Sequence, residues 1–234
     1  MGFSKTQNAD PAPDSGLLRK ALPKAPDQKG MFMPHAGKTL VLATRNDGKI
    51  RELSRMLREC GLSAVGLDGF PQVGEIEETG ATFAENARIK ALAVLAATGL
   101  PAVADDSGLC VDALDGAPGV YSARYAGEHA TDAENNAKLL AALKDVPLEK
   151  RAARFVCAMC AAFPDGSLIE TEEAWEGRLM FEPSGYNGFG YDPLFFDETA
   201  QTTSANLPAD QKNARSHRGK ALRALVARLK ERAA

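Results

Sequence analysis

Thr39-Leu40-Val41-Leu42-Ala43, then Thr44-Arg45-Asn46-Asp47-Gly48-Lys49, then Ile50, Leu53, Met56 and Leu57 on one helical face: this stretch decides the fold. The first run is short, apolar and of strand length. The apolar residues after Lys49 recur at helical spacing. Thr44 to Lys49 is therefore a strand-to-helix turn, and strand, turn and helix in that order build an α/β protein. The turn carries a hydroxyl, an amide, a glycine and a lysine. Backbone N–H groups at a helix start attract phosphate, and Lys49 adds a point charge. It is not a Walker A loop, because no glycine precedes Gly48-Lys49 at the needed spacing. An ordinary capped turn is the competing reading of this piece alone.

Outward from that unit, Ser63-Ala64-Val65-Gly66 reads as a second strand. Thr82 with Glu85 forms a capping box, opening a helix that runs to about Thr98 and stops at Gly99 and Pro101. Glu75, Glu77 and Glu78 lie in the loop before it, an oxygen-rich run that suits Mg²⁺ or simply faces water. Next comes Ala102-Val103-Ala104-Asp105-Asp106-Ser107-Gly108. The apolar part is a short buried strand, expected to run out into a Ser-Gly turn, where open α/β sheets bind ligands. Adjacent half-buried carboxylates repel each other, and a cation or a proton compensates. A divalent metal site and a solvated Asp-Asp turn are the two readings.

Two later segments carry further chemistry. Gly185-Tyr186-Asn187-Gly188-Phe189-Gly190-Tyr191-Asp192 combines glycines that permit close backbone approach with rings that can stack on a base. It lacks the third glycine of a dinucleotide fingerprint. Lys212-Asn213-Ala214-Arg215-Ser216-His217-Arg218-Gly219-Lys220 opens the last helix, with Ser216 as its N-cap. His217 and Arg218 then stand in the first turn, where cations oppose the helix dipole. A bound anion would relieve that conflict.

The remaining pattern is a helix from the Thr131–Glu134 capping box to about Lys144, a strand over Arg154–Phe163, a Pro164–Ser167 turn and an antiparallel return over Leu168–Trp175. Helical and hairpin units together call for a mixed sheet. The chain has 234 residues, 44% hydrophobic and 25% charged, with net charge −3. That composition gives no drive toward nucleic acid polymers or anionic membranes, and no apolar run is long enough to span a bilayer. Cys157 and Cys160 make a C-x-x-C, but three apart on a strand they face opposite ways, so neither zinc nor a redox pair is expected. Reduced thiols fit a cytoplasmic protein. Residues 1–36 hold five of the 13 prolines and few large apolar side chains, and read as a disordered extension before a single domain over 37–234. Met31 and Met33 are alternative starts.

Taken together, these pieces resemble the inosine/xanthosine triphosphate pyrophosphatase family, the housecleaning enzymes for non-canonical purine nucleotides. The likeness runs from about Lys38 to Lys230. It is carried by Thr44–Lys49 with Glu52, Glu77-Glu78-Thr79-Gly80 with Thr82-Phe83 and Glu85-Asn86-Ala87, and Ala104–Leu109. Gly116–Arg124, Trp175-Glu176-Gly177, Gly188–Pro193 and Ser216-His217-Arg218-Gly219 complete it. Tyr186-Asn187 departs from it, standing where a more Gly-rich pair is common.

The resemblance implies a long curved mixed β-sheet with flanking helices, two lobes and a central cleft, and a homodimer. It implies hydrolysis of ITP, dITP or XTP to the monophosphate and pyrophosphate. Mg²⁺ would be held by Glu77 and Asp106, with Asp105 close by, and Asp106 would act as general base toward water. Thr44, Arg45, Asn46, Asp47, Gly48, Lys49 and Ser107 would bind the triphosphate. Phe189, Gly190, Tyr191 and Asp192, with Lys212, His217 and Arg218, would surround the base. Hydrogen-bond polarity supports that placement: hypoxanthine offers an acceptor at O6 and a donor at N1, and adenine offers the reverse. Donors placed at O6 would be left unpaired by adenine, at a cost of roughly 1–3 kcal/mol per buried group. The competing functions are a metal-dependent phosphohydrolase releasing orthophosphate, and a nucleotide-binding regulator without turnover.

Overall fold

The computed structural model describes residues 39–59 and 61–233. The reading of 1–36 as an extension, the start of the domain at 37 and Cys60 lie outside the described residues.

Seven strands form one mixed sheet in the order β2-β1-β3-β4-β5-β6-β7. They are β1 (Thr39–Leu42), β2 (Ser63–Val65), β3 (Ala102–Val111), β4 (Ala152–Ala162), β5 (Leu168–Leu179), β6 (Phe195–Asp197) and β7 (Thr202–Thr203). The helices are α1 (Asp47–Glu59), α2 (Phe83–Thr98), α3 (Asp132–Ala142), α4 (Ala209–Arg215) and α5 (His217–Ala233). Strands β1, β2 and β3 pair in parallel, and every later neighbour is antiparallel. The expected mixed α/β sheet is therefore present.

Local signals formed as their chemistry requires. Thr82 accepts from Glu85 N–H and Glu85 bonds back, closing the capping box of α2. Gly99 ends that helix at φ +70, a left-handed position that favours glycine, with its N–H on Leu95 O. Thr131 and Glu134 make the second capping box, although α3 stops at Ala142, a little before the expected Lys144. Strand β5 continues past Trp175 to Leu179.

The core is divided by the sheet. On one face Leu42, Val103, Cys157 and Met159 pack with Leu53 and Leu57 of α1 and Leu222 and Leu225 of α5. On the other, Val41, Ala104, Ala158 and Cys160 pack with Ala87, Ala91 and Val94 of α2. Cys157 and Cys160 thus face opposite ways, and burial pushes the Cys160 thiol up to about 12. A third cluster gathers Leu109, Phe155, Trp175, Leu179, Tyr191 and Phe195 with Leu139 and Leu143 of α3. It lies at the far ends of β3, β4 and β5.

The strand register corrects the reading of Asp105-Asp106. Ser107 and Gly108 make no turn: β3 runs on to Val111, and Asp106 and Ser107 pair with Ala158 and Cys157 of β4. Gly108 is required by packing instead. A Cβ there would lie 2.5 Å from Gly119 O and 2.9 Å from Phe83, and would also strike Ser122 Oγ. Strand alternation also turns the two carboxylates to opposite faces, so their mutual repulsion is not the problem the sequence suggested.

Candidate active site

β1 pairs with β3 only as far as Leu42 and Val103, with one further bond from Ala43 N–H to Val103 O. Beyond that point β3 outruns β1, and the free edge from Ala104 onward borders the start of α1. Asn46 caps α1, accepting from Lys49 N–H at 3.0 Å, while Thr44 Oγ1 accepts from Asn46 N–H at 3.2 Å. Lys49 then stands in the first helical turn with its Nζ 3.0 Å from Asp105 Oδ2.

Each Asp has its own cation. Asp105, on the α1 and α5 face, meets Lys49 and Arg218. Burial works to raise its pKa, but Lys49, Arg218 and Lys90 more than reverse that and hold it far below the usual carboxylate range. Its second oxygen is buried without a partner. Asp106, on the α2 face, meets Lys90 Nζ at 3.1 Å and Asn86 Nδ2 at 3.2 Å. Burial raises the Asp106 pKa, Glu78 adds to that, and Lys90 and Lys49 only partly offset it. Lys90 also bonds Glu78 at 2.9 Å. Buried itself, it is kept charged by Asp106, Asp105 and Glu78, which raise its pKa against the effect of burial.

A second ion network lies beneath the aromatic turn. Arg218 donates to Glu52 at 2.5 Å, Asp105 at 3.4 Å and Ser107 Oγ at 3.0 Å. Lys212 donates to Asp192 at 2.7 Å and Glu52 at 3.3 Å. Burial raises the Glu52 pKa, yet Arg218 and Lys212 bring it below its ordinary value. Asp192 also accepts from Phe189 N–H and Ser204 Oγ. The Phe189 ring has Lys212 Nζ 5.2 Å and the Arg218 guanidinium 5.4 Å from its centroid. His217 is stacked on Phe155 with ring centroids 4.9 Å apart, and its Nδ1 has no partner. Burial, then Arg218 and Lys212, push its pKa well below the usual value, so it is neutral.

This resolves the conflict at the start of α5. Ser216 Oγ does accept from Gly219 N–H, as an N-cap should. The cations in the first turn need no outside anion, because His217 is uncharged and Arg218 is balanced by Glu52 and Asp105.

The expected site residues separate by position. Asn46, Lys49, Ser107, Phe189, Gly190, Tyr191, Asp192, Lys212, His217 and Arg218 line one narrow inner cavity of about 110 Å³. Thr44, Arg45, Asn46, Lys49, Asp106 and Ser107 line a second cavity of about 310 Å³, together with Glu75, Glu78, Lys90 and Arg124. Gly48 lines a third, outer cavity of about 380 Å³ that shares Phe189 and Lys212 with the first. Arg45 also donates to Val73 O at 2.7 Å. Tyr191 contributes little ring face: it is buried, with its hydroxyl on Ser122 O at 2.8 Å. Two residues are not brought in. Asp47 is exposed and lines none of these cavities, and Glu77 is exposed while Glu78 takes the place beside Lys90 and Asp106.

Sequence reasoning gave no role to Lys90, Glu52, Arg124 or Phe155. Lys90 had a signal, since a lysine inside the apolar stripe Phe83, Ala87, Ala91 and Val94 is out of place without a buried partner. Among the described residues no three carboxylate, imidazole or thiol groups converge as a preformed metal cage.

A mixed sheet with a cation-lined cleft off the end of its first strand defines an α/β protein built to hold a polyanionic ligand. The chain belongs to the Ham1 family, which matches residues 40–228. It is 60% identical to the dITP/XTP pyrophosphatase of Nitratidesulfovibrio vulgaris over 194 residues, 80% of this chain and 94% of that one. It is 51% identical to the dITP/XTP pyrophosphatase of Vibrio parahaemolyticus, covering 82% of this chain and 96% of that one. Among solved structures it is similar to a HAM1 protein from Coxiella burnetii, with TM-score 0.76 and 45% identity over 82% of this chain and 98% of that one. It is also similar to a dITP/XTP pyrophosphatase from Mycobacterium abscessus, with TM-score 0.67 and 49% identity over 80% and 98% of the two chains. No described helix is long and apolar enough to cross a membrane.

Proposed function

We propose that this chain hydrolyses non-canonical purine nucleoside triphosphates, dITP, ITP and XTP, to the monophosphate and pyrophosphate. One observation carries the reading beyond the relatives' names. The inner cavity and the Asp106 cavity share Asn46, Lys49, Ser107 and Ala123. A nucleotide with its base against Phe189 and its outer phosphates among Arg45, Lys90 and Arg124 would have its α-phosphate at the shared residues, beside Asp106. Attack there releases pyrophosphate rather than orthophosphate.

The residues divide the work. The α1 N-terminus and Lys49 bind phosphate oxygens through backbone donors and a point charge. Asp106 orients water and accepts its proton, and its raised pKa makes it a better base than an ordinary carboxylate. Lys90 fixes Asp106 and supplies positive charge where negative charge accumulates. Lys212 and Arg218, with neutral His217, border the base.

The oxygen donors fit Mg²⁺, which takes one or two carboxylates and completes its shell with water and phosphate. Asp106 would hold it, with the Glu75–Glu78 loop as the second source of carboxylate. The ion would neutralise phosphate charge and lower the pKa of bound water. A homodimer belongs to the same reading through the family resemblance, and a cytoplasmic setting through the reduced thiols.

The test is the product. With dITP and Mg²⁺, one pyrophosphate should appear per dIMP, without orthophosphate until an inorganic pyrophosphatase is added. Direct orthophosphate release would support the other phosphohydrolase reading, and tight binding without turnover would support the regulator.

A further inference from the structure

The aromatic turn is held from outside by α3. Asp132 Oδ2 accepts from Gly190 N–H at 2.6 Å, and Asn136 Nδ2 donates to Gly190 O at 2.9 Å. Residues four apart on a helix lie one above the other, so these two side chains take both polar groups of one residue. Gly190 stands at φ +61, a conformation other residues adopt at a cost. On the inner side, Asp192 takes the Phe189 N–H at 2.9 Å. The Phe189 backbone is thus fixed between Asp192 and the α3 pair. Its ring packs on Gly48 so closely that a Cβ on Gly48 would come within 2.9 Å of it.

Helix chemistry accounts for only half of this arrangement. Asp132 is in the first turn of α3, where a carboxylate suits the dipole. Asn136 has no such reason to be there. Its Oδ1 is buried without a partner, so the amide is placed for its one bond to Gly190. Asp132 also lines the inner cavity. We infer that Asp132 and Asn136 are positioning residues: they fix Gly190, and through it the height and tilt of the Phe189 ring against the purine. This inference rests on the function proposed above.

The experiment measures kcat and KM for ITP in the wild type, Asp132→Ala, Asp132→Asn, Asn136→Leu and Phe189→Ala, and in the Asp132→Ala/Phe189→Ala pair. Inhibition by inorganic tripolyphosphate, which has no base, is measured alongside. Asp132→Ala and Asn136→Leu should raise KM roughly 5- to 10-fold, the lower part of what a base–aromatic stack contributes, with kcat nearly kept. Tripolyphosphate inhibition should not change. Asp132→Asn, which keeps an acceptor oxygen, should restore most of the loss. In the Phe189→Ala background Asp132→Ala should add nothing. An unchanged KM in both single variants, a parallel weakening of tripolyphosphate, or independent additive losses with Phe189→Ala would each overturn the inference. If Asp132→Ala does not fold, Asn136→Leu decides by the same comparisons. Absence of wild-type ITP turnover would overturn the function reading itself, and this inference with it.

Discussion

Replacing Arg218 by alanine removes a guanidinium that is only 3% exposed and bonded to three side chains. Breaking a buried ion pair costs about 3–5 kcal/mol, because the partner charge is left without compensation. Here the partners keep some support. Lys49 stays 3.0 Å from Asp105, and Lys212 stays 3.3 Å from Glu52. The cost should therefore fall near the lower bound, about 3 kcal/mol. For a domain of this size that is a drop in Tm of roughly 6–12 °C. Urea unfolding of the wild type and Arg218→Ala measures it. Adding Glu52→Gln removes the less supported charge and should recover part of the loss, a non-additivity expected of groups in contact. A loss below about 1 kcal/mol, as an exposed pair gives, would refute the buried network. In turnover, Arg218→Ala should lower kcat/KM for ITP more than for ATP. An unchanged ratio would assign base reading to another group.

Asp106→Asn should cut turnover by about 10²–10⁴-fold, the usual contribution of a general base, while nucleotide binding by calorimetry persists; a loss of only a few-fold would move the base elsewhere. His217 supplies a pH test. Its folded pKa lies well below 6.5, so under that pH the unfolded chain binds a proton that the folded chain refuses. Stability from this group is complete above pH 6.5 and falls as pH drops, by up to about 1.4 kcal/mol per pH unit. His217→Phe should flatten the stability profile between about pH 6.5 and 5 by that amount, and an unchanged slope in urea melts would contradict a buried neutral imidazole. Gly108→Ala forces a methyl group against Gly119 O and Ser122 Oγ and should destabilise by at least about 1–3 kcal/mol, whereas a mutant of wild-type Tm would show that the β3 contact is loose.

What the sequence made legible was local. The β1–turn–α1 unit, both capping boxes and the Ser216 cap depend on neighbours within a few residues, and each formed as read. The error at Asp105-Asp106 has the opposite origin. Gly108 looked like a turn residue, but the need for it comes from the Gly119–Ser122 segment folding across β3. Once β3 continues, alternation sends one carboxylate to Lys49 and the other to Lys90. What stayed hidden at Lys90 and Glu52 was their partners, Asp106 for the one and Lys212 and Arg218 for the other, because other elements supply them. Asn136 shows the limit most plainly: its amide meets Gly190 across 54 residues of chain.

The central claim is base selection at a pyrophosphate-releasing site, and one substrate panel tests it most directly. The full chain, with Mg²⁺, is assayed for pyrophosphate release from ITP, dITP, XTP, ATP and GTP, and kcat/KM is compared. The first three should exceed ATP by several orders of magnitude, about 10⁴ where a site built to hydrogen-bond one base meets a mispaired one. They should also exceed GTP, which shares O6 and N1–H with hypoxanthine and has to be rejected at its 2-amino group. ATP hydrolysed as well as ITP would contradict the account.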